Sequence, residues 1–534
     1  NYSKVIALYH RIGAVAGSEV RHNAAKSIFH KMYGYDPVTG QHVTPTYLGS
    51  KTDGSLTESE LIKYRNIVDY LAGQSREKTA FASFYGAFDY AYRGKYIANA
   101  TIRSDGSNNF GSKQQFNFTW SAGLAWNIDE EEFMKALKPV ITQATIRLST
   151  GLTGGVNKTV YPQIIMSYSG YRSTTIDNFR LGVVSNAPNP NLRWEHTRDY
   201  NASLDVGLLN NRLNLYFSGY RRRGYDLVTA VKVVSTTGFA TQSYNTSEQV
   251  NQGVELTINA IPLKIKDLSW SVSGNVAYNQ NKLTKYDAPG DYTFSPTRLN
   301  YPQSSIFTGK YEGVDAATGL QTFALRPGTV ISSTKDKRDP YNYVYYIGTG
   351  NAPCTGGFST NVTYMNFTLS ISTSFALGAK KADEISNPFA SSSSWSGFTN
   401  TVPSEACDLY SAHLNKPKAA AHRWTPDNHI TDGYPRLIDS KGTAILVDKD
   451  CVNSDNIMKG AWYCDASYWK IGSISLLYNM PRHITAKMGL SDMGFSLTAN
   501  NVFIVTDYKG LNPETPGAVY PISRSFSLGV NIGF

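Results

Sequence analysis

No stretch of this 534-residue sequence approaches the roughly eighteen consecutive apolar residues of a membrane-spanning helix, which excludes a helical membrane protein. It does not exclude a membrane barrel, whose strands alternate and escape a hydropathy scan. Charge is scarce as well, at 17% where about a quarter is usual in soluble domains. Cysteine is scarcer. Cys354, Cys407, Cys451 and Cys464 form no CxxC pair, which argues against zinc. In an oxidising compartment they allow two disulfides with three possible connectivities; free thiols fit equally well. There is no HExxH, GxSxG, P-loop or dinucleotide fingerprint. The nine histidines are dispersed, and His422 and His429, which flank Trp424, read as structural. No catalytic residue, metal or cofactor is expected, and the chain is read as not an enzyme. Asn1-Tyr2-Ser3-Lys4 carries neither the charged nor the apolar region of a signal peptide, and the first residues read as a strand, so an N-terminal truncation is expected.

What is present is aromatic and turn-rich. Apolar residues reach 41%, too many for a disordered chain, and aromatics 13%, with 36 Tyr against 8 Trp. With 44 Gly and abundant Asn, Ser and Thr, this suits β-structure broken by turns. The net charge of +10 reads as a solvated surface, with attraction to anionic lipid headgroups or an acidic ligand as the sharper alternatives. Nucleic acid is not an expected partner, because the basic residues are scattered. The one tight cluster, Arg221-Arg222-Arg223, sits inside a strand-like segment.

The sequence period carries the fold. Arg524, Phe526, Leu528, Val530, Ile532 and Phe534 alternate with Ser525, Ser527, Gly529, Asn531 and Gly533, the two-residue period of a strand. The same pattern places Ala202, Leu204 and Val206 against Asn201, Ser203 and Asp205, and Phe495, Leu497 and Ala499 against Ser496, Thr498 and Asn500. About fourteen strands follow, at 10–21, 77–92, 95–104, 115–128, 141–153, 192–208, 211–230, 247–262, 267–283, 355–364, 366–379, 462–480, 487–504 and 522–534.

A soluble sandwich also alternates. Three features favour a barrel. The segments are long, near the ~9–11 residues of a tilted strand crossing a bilayer. Their polar face is small and hydrogen-bonding, as in a wet lumen. Aromatics such as Phe88, Tyr90, Tyr92 and Tyr96 gather near strand ends, where an interfacial girdle would lie. Connection lengths agree. Tight joints at Arg93-Gly94, Asn210-Asn211, 263–266 and Met365 fall at one end, and the long segments 22–76, 154–191, 284–354 and 380–461 at the other. The expected fold is therefore all-β, an antiparallel transmembrane β-barrel with long extracellular loops and minor helices. The alternating end, with Leu528, Val530, Ile532 and the terminal Phe534, resembles the insertion signal of outer-membrane barrels and would be periplasmic.

Smaller features read as decoration. Thr57–Leu71 is expected to be helical, with Thr57 capping, and Glu130–Leu137 forms a second helix within a short turn. Glu130, Glu131 and Glu132 read as a solvated face, Asp105–Asn109 as a turn rather than a calcium loop, and Ser391–Ser394 as a flexible loop tip.

Several segments resemble the SusC/RagA family of TonB-dependent transporters. They include Lys95–Ser107, Leu192-Arg193-Trp194-Glu195, Asn251–Leu256, Gly356-Gly357-Phe358 and Trp424–Asn428. The end fits best, through Ala499–Phe503, Thr506–Glu514, Tyr520-Pro521 and Phe534. The segment around Asp315 departs from the family in lacking its fuller acidic loop. The resemblance implies a barrel of roughly 22 strands with a plugged lumen, of which residues 1–534 form the C-terminal part. It implies location in a bacterial outer membrane, contact with its lipid, and energy from TonB through an N-terminal region absent here. It also implies uptake of oligosaccharides, or peptides in some members, with a SusD-like surface lipoprotein. Trp395, Phe398, Tyr410 and Trp424 in the longest loop are candidate ligand contacts, by stacking on sugar rings; packing of the loop on itself is the plainer role. The rival functions are a passive porin and a secreted all-β adhesin or lectin.

Overall fold

The computed structural model describes residues 2–6, 9–30, 72–108, 110–111, 113–157, 160–168, 182–287, 294–382, 421–436, 455–516 and 520–534, with the isolated positions 36, 39 and 41. Of the expected features, the helix at Thr57–Leu71 and the run Ser391–Ser394 lie outside the described residues.

One antiparallel sheet of 15 strands dominates, and its strands follow one another in chain order. They are β1 (Tyr2–Ile6), β2 (His10–His30), β3 (Ala72–Tyr92), β4 (Tyr96–Ser107), β5 (Phe116–Asn127), β6 (Ile141–Gly155), β7 (Glu195–Leu208) and β8 (Leu213–Lys232). Then come β9 (Thr241–Lys264), β10 (Leu268–Lys285), β11 (Cys354–Tyr364), β12 (Phe367–Leu377), β13 (Tyr468–Asn479), β14 (Asp492–Thr506) and β15 (Ser525–Gly533). The strands expected from the sequence correspond to β2–β15; the short β1 is additional. The sheet is open between β1 and β15.

Connections after odd-numbered strands run from 2 to 13 residues, and every longer one follows an even-numbered strand, so all the long segments leave from one end of the sheet. Turn chemistry explains the short end. Arg93 and Gly94 both take positive φ, at 51° and 69°, as a two-residue primed hairpin turn requires. Asn210 and Asn211 do the same, at 55° and 61°.

Several boundaries differ from the expected ones; β9 starts at Thr241 rather than at 247, and β13 at Tyr468 rather than at 462. β2 runs on to His30 and pairs with β3 as far as Ala72, where a loop was expected. Its 21 residues exceed what a bilayer needs, so the hairpin projects beyond hydrocarbon, both faces meet water, and alternation fades from the sequence. The expected strand at 487–504 starts only at Asp492. Pro481, which has no N–H to give a ladder, leads instead into a helical turn at Arg482–Thr485. The Glu130–Leu137 helix is two pieces of 3₁₀ helix, Ile128–Glu130 and Glu132–Leu137.

The alternation sorts the sheet into two faces. On one, Leu369, Leu476, Leu497 and Leu528 stand in a single row across four neighbouring strands, and Leu204, Phe217, Leu256 and Val276 in another. Many of these side chains are exposed, and among the described residues no second layer covers them. At the short-connection end the same face carries aromatics. Tyr96 stacks between Tyr92 and Trp126, with centroids 6.5 and 6.4 Å away, and Phe367 meets Tyr478 at 4.7 Å. The opposite face is a hydrogen-bonded polar lattice. Thr101 meets Ser121 at 2.6 Å, Asn281 donates to Asn251 at 2.6 Å, Arg222 pairs with Asp199 at 2.9 Å, and Arg147 pairs with Asp205.

Within the acidic run at the short end Glu130 and Glu132 are exposed, as expected of a solvated face, but Glu131 is not. Glu131 accepts hydrogen bonds from the Tyr96 hydroxyl (2.7 Å), Trp126 Nε1 (3.1 Å) and Lys95 Nζ (3.1 Å), and its side chain is only 14% exposed. Nor is Asp105 a turn residue. It lies within β4, bound to Ser83 at 2.5 Å and Arg103 at 2.6 Å.

Candidate functional site

The buried apolar side chains gather mostly at the long-connection end. Phe307, Val314, Phe323, Tyr343, Ile457 and Trp462 are all buried there, in segments between the strands of the sheet. They belong to a cap built from two small hairpins and two further segments. The hairpins pair Ser305–Gly309 with Val344–Thr349 and Tyr311–Val314 with Gln321–Phe323. The remaining pieces are a strap at 421–436 and the helical segment Asp455–Trp462. Thr308 Oγ1 donates to the Asn456 carbonyl at 2.5 Å and ties hairpin to helix.

The second hairpin turns at Asp315. Its carboxylate accepts from Thr318 Oγ1 (2.6 Å) and Thr318 N (2.7 Å), and these bonds, the hydroxyl's first, hold it below the usual carboxylate range. Gly319 follows with φ 71°, and a Cβ there would come within 2.5 Å of Trp424. This close approach seats the strap. Trp424 Nε1 donates to the Ala316 carbonyl (2.9 Å), Val314 N to Thr431 O (2.9 Å), and Arg436 N to Gly319 O (2.9 Å).

Between hairpin, strap and helix lies a cavity of about 330 Å³, lined by Tyr311, Gln321, Tyr434, Trp462, Tyr463 and Lys509 among others. Four aromatic side chains offer faces for stacking. Gln321 is 4% exposed, and its Oε1 is buried without a hydrogen-bond partner among the described residues, an acceptor waiting for a donor. Burial pushes the Tyr311 hydroxyl up to about 12, and raises that of Tyr463 as well, so both remain neutral donors. At the rim His422 Nε2 meets Asp432 at 3.0 Å and lowers that carboxyl. A neutral, polar ligand with ring faces or amide planes suits this chemistry.

Of the candidate contacts, Trp395, Phe398 and Tyr410 lie outside the described residues. Trp424 is not among the residues that line the cavity. It stacks on His429, with centroids 5.4 Å apart and planes 6° from parallel, and packs the strap onto the hairpin. His429 Nε2 donates to the Pro426 carbonyl at 2.9 Å. The cavity residues escaped the sequence reading because Tyr311 and Gln321 come from a different connection, while Trp462 and Tyr463 were read as the start of a strand. Cys354 forms no disulfide among the described residues, and Cys407 and Cys451 lie outside them. At the C-terminal end, Leu528, Val530 and Ile532 lie on the apolar face of β15, with Phe534 just beyond it.

Comparison with known proteins places this architecture. Residues 15–380 match the family model described as TonB dependent receptor-like, beta-barrel. The TonB-dependent receptor P3 of Formosa agariphila is 26% identical over 520 residues, covering 89% of this chain and 48% of the relative. The TonB-dependent receptor SusC of Bacteroides thetaiotaomicron is 26% identical over 493 residues, covering 86% and 45%. The chain thus spans about half the length of the curated relatives it matches. The solved RagAB peptide transporter superposes with a TM-score of 0.75 at 22% identity, over 100% of this chain and 54% of that one. The RagAB peptide importer in its open-open state gives 0.76 at 23%, a likeness of fold. Each of these relatives is named as a receptor, transporter or importer, none as an enzyme.

Proposed function

Since the chain belongs to the TonB-dependent receptor-like β-barrel family, whose members reside in the bacterial outer membrane, we propose that the whole protein drives active uptake of a polar oligomer across that membrane. An oligosaccharide is the first choice of ligand and a short peptide the second. The observation that carries this reading is the cavity at the long-connection end, with Tyr311, Tyr434, Trp462 and the unpartnered Gln321 acceptor. Tyr and Trp faces stack on sugar rings, and Gln321 Oε1 accepts from a hydroxyl or an amide N–H. Beyond the cavity the polar sheet face offers successive hydrogen-bonding groups of the kind a hydrated solute needs.

Two further parts complete the proposal. The backbone edges of β1 and β15 cannot remain unpaired in hydrocarbon, so strands outside these fifteen close the barrel. TonB supplies energy through a region outside this segment, and a SusD-like lipoprotein covers the outer end, where the cap lies. The peptide reading draws on the likeness of fold to the RagAB peptide transporter.

The experiment is uptake by cells carrying or lacking the full-length gene, given labelled oligosaccharides and oligopeptides with the proton gradient intact or collapsed. Gene-dependent, gradient-dependent accumulation of one class is expected. Accumulation that survives collapse would indicate a passive porin, and recovery of the protein in the detergent-free soluble fraction would indicate a secreted adhesin or lectin.

A further inference from the structure

The apolar face of the sheet changes character toward its long-connection end. Arg198, Arg223, Val250 and Lys282 stand in one row across β7–β10, and Arg221 lies one step inward, opposite Tyr200. These residues share the face that carries Leu204, Phe217 and Leu256, whereas Arg222 points to the other face and pairs with Asp199 at 2.9 Å. Arg198 and Arg223 are direct cross-strand neighbours, and like charges so placed repel. Among the described residues only Arg223 is relieved, by Glu248 at 2.7 Å. Arg198 and Arg221 form no ion pair among the described residues. The Arg198 guanidinium lies over the rings of Trp120 (4.9 Å) and Tyr200 (5.5 Å), and its Nε is buried without a hydrogen-bond partner among the described residues.

Next to this cluster the surface is hollowed. Ala122, Ala202 and Gly219 form the floor of a groove of about 690 Å³, walled by Leu124, Leu148 and Tyr200. A second hollow of about 660 Å³, lined by Arg198, Tyr200, Arg221, Arg223 and Tyr225, adjoins it and shares Tyr200 and Arg221. The two make one depression, apolar toward mid-height and cationic toward the outer end.

We infer that this depression binds a phosphorylated lipid of the outer leaflet, with the phosphate on Arg198, Arg221 and Arg223 and an acyl chain along the groove. Charge complementarity selects the occupant. A phosphate accepts several charge-assisted bonds from guanidinium groups, neutralises the facing pair Arg198 and Arg223, and gives the dry Arg198 Nε a partner. The small floor residues leave the space that a chain fills. The inference depends on the membrane location and not on which solute is transported.

The test is native mass spectrometry of the full-length protein in mild detergent with three probes: phosphatidic acid, diacylglycerol with the same chains, and inorganic phosphate. Phosphatidic acid is expected to be retained, and the other two are not. The double variant Arg221→Gln/Arg223→Gln should bind phosphatidic acid at least about tenfold more weakly, while Arg221→Lys/Arg223→Lys retains most of it and confirms folding. Gly219→Leu should also weaken it; a Cβ at Gly219 meets nothing closer than 3.8 Å, so the substitution fills the groove without distorting the sheet. Arg222→Gln should change nothing. Equal retention of diacylglycerol, full displacement by inorganic phosphate, or an equal loss in Arg222→Gln would overturn the assignment.

Discussion

Leu528 stands directly opposite Leu497 in the antiparallel ladder, and the two side chains remain 77% and 52% exposed. One residue along, Ser527 faces Thr498 on the other side of the sheet. In a soluble sandwich the leucine pair would be covered by a second layer. Here a large apolar surface is left uncovered, which is unfavourable in water and natural in hydrocarbon.

Substitution at this pair should separate the faces. Leu528→Arg places a charge near hydrocarbon and should cost ~2–4 kcal/mol of barrel stability near the bilayer midplane. Ser527→Arg should cost far less. The folded fraction of full-length protein after reconstitution measures both, and equal losses would reverse the assignment of faces.

Glu131 fastens the short-connection end. The Tyr96 hydroxyl, then Lys95 and Trp126, hold its carboxyl below the usual range. A depressed carboxyl contributes stability that is present above its unfolded value of about 4.3 and is lost as pH falls through the lower folded value. The melting temperature of the wild type should therefore drop on acidification below about pH 4 more than that of Glu131→Gln. Parallel curves would mean that the carboxylate contributes nothing there.

Gln321 and Tyr311 should govern ligand affinity. Gln321→Ala removes one neutral acceptor, an effect of about 0.5–1.5 kcal/mol, or a several-fold rise in Kd. Tyr311→Ala should cost more, because stacking area goes with the hydroxyl. Titration of whichever oligosaccharide or peptide the uptake assay identifies reads both, and unchanged affinity in the pair would move the site elsewhere.

Gly319→Ala should loosen the strap. The new methyl group meets the Trp424 ring at 2.5 Å, in a backbone conformation with φ 71° that side chains avoid. Faster proteolysis within 421–436 is expected while the sheet keeps its melting temperature. Unchanged cleavage would show that the ring has room to shift.

The sheet was readable because a two-residue period survives wherever one face meets hydrocarbon and the other a polar surface. That is why β15 and β7 stood out, while the outer part of β2 beyond Arg21, with His22, Asn23 and Lys26 all exposed, did not. The parity of connections was legible for the same reason, since turn residues such as Asn210-Asn211 announce themselves locally. The cavity was not legible. Tyr311, Tyr434 and Trp462 come from separate connections and meet only through the cap's packing, which no local pattern encodes. Arg221 and Arg223 looked like part of a simple basic run until the strand period split them from Arg222.

Spin labels placed singly at 525 through 532 of the full-length, membrane-reconstituted protein test the central claim most directly. Accessibility to oxygen should peak at 526, 528, 530 and 532, and accessibility to a water-soluble nickel chelate at 525, 527, 529 and 531, the two profiles out of phase. In-phase profiles, or apolar positions shielded from both reagents, would place these leucines in a packed protein core and contradict the barrel account.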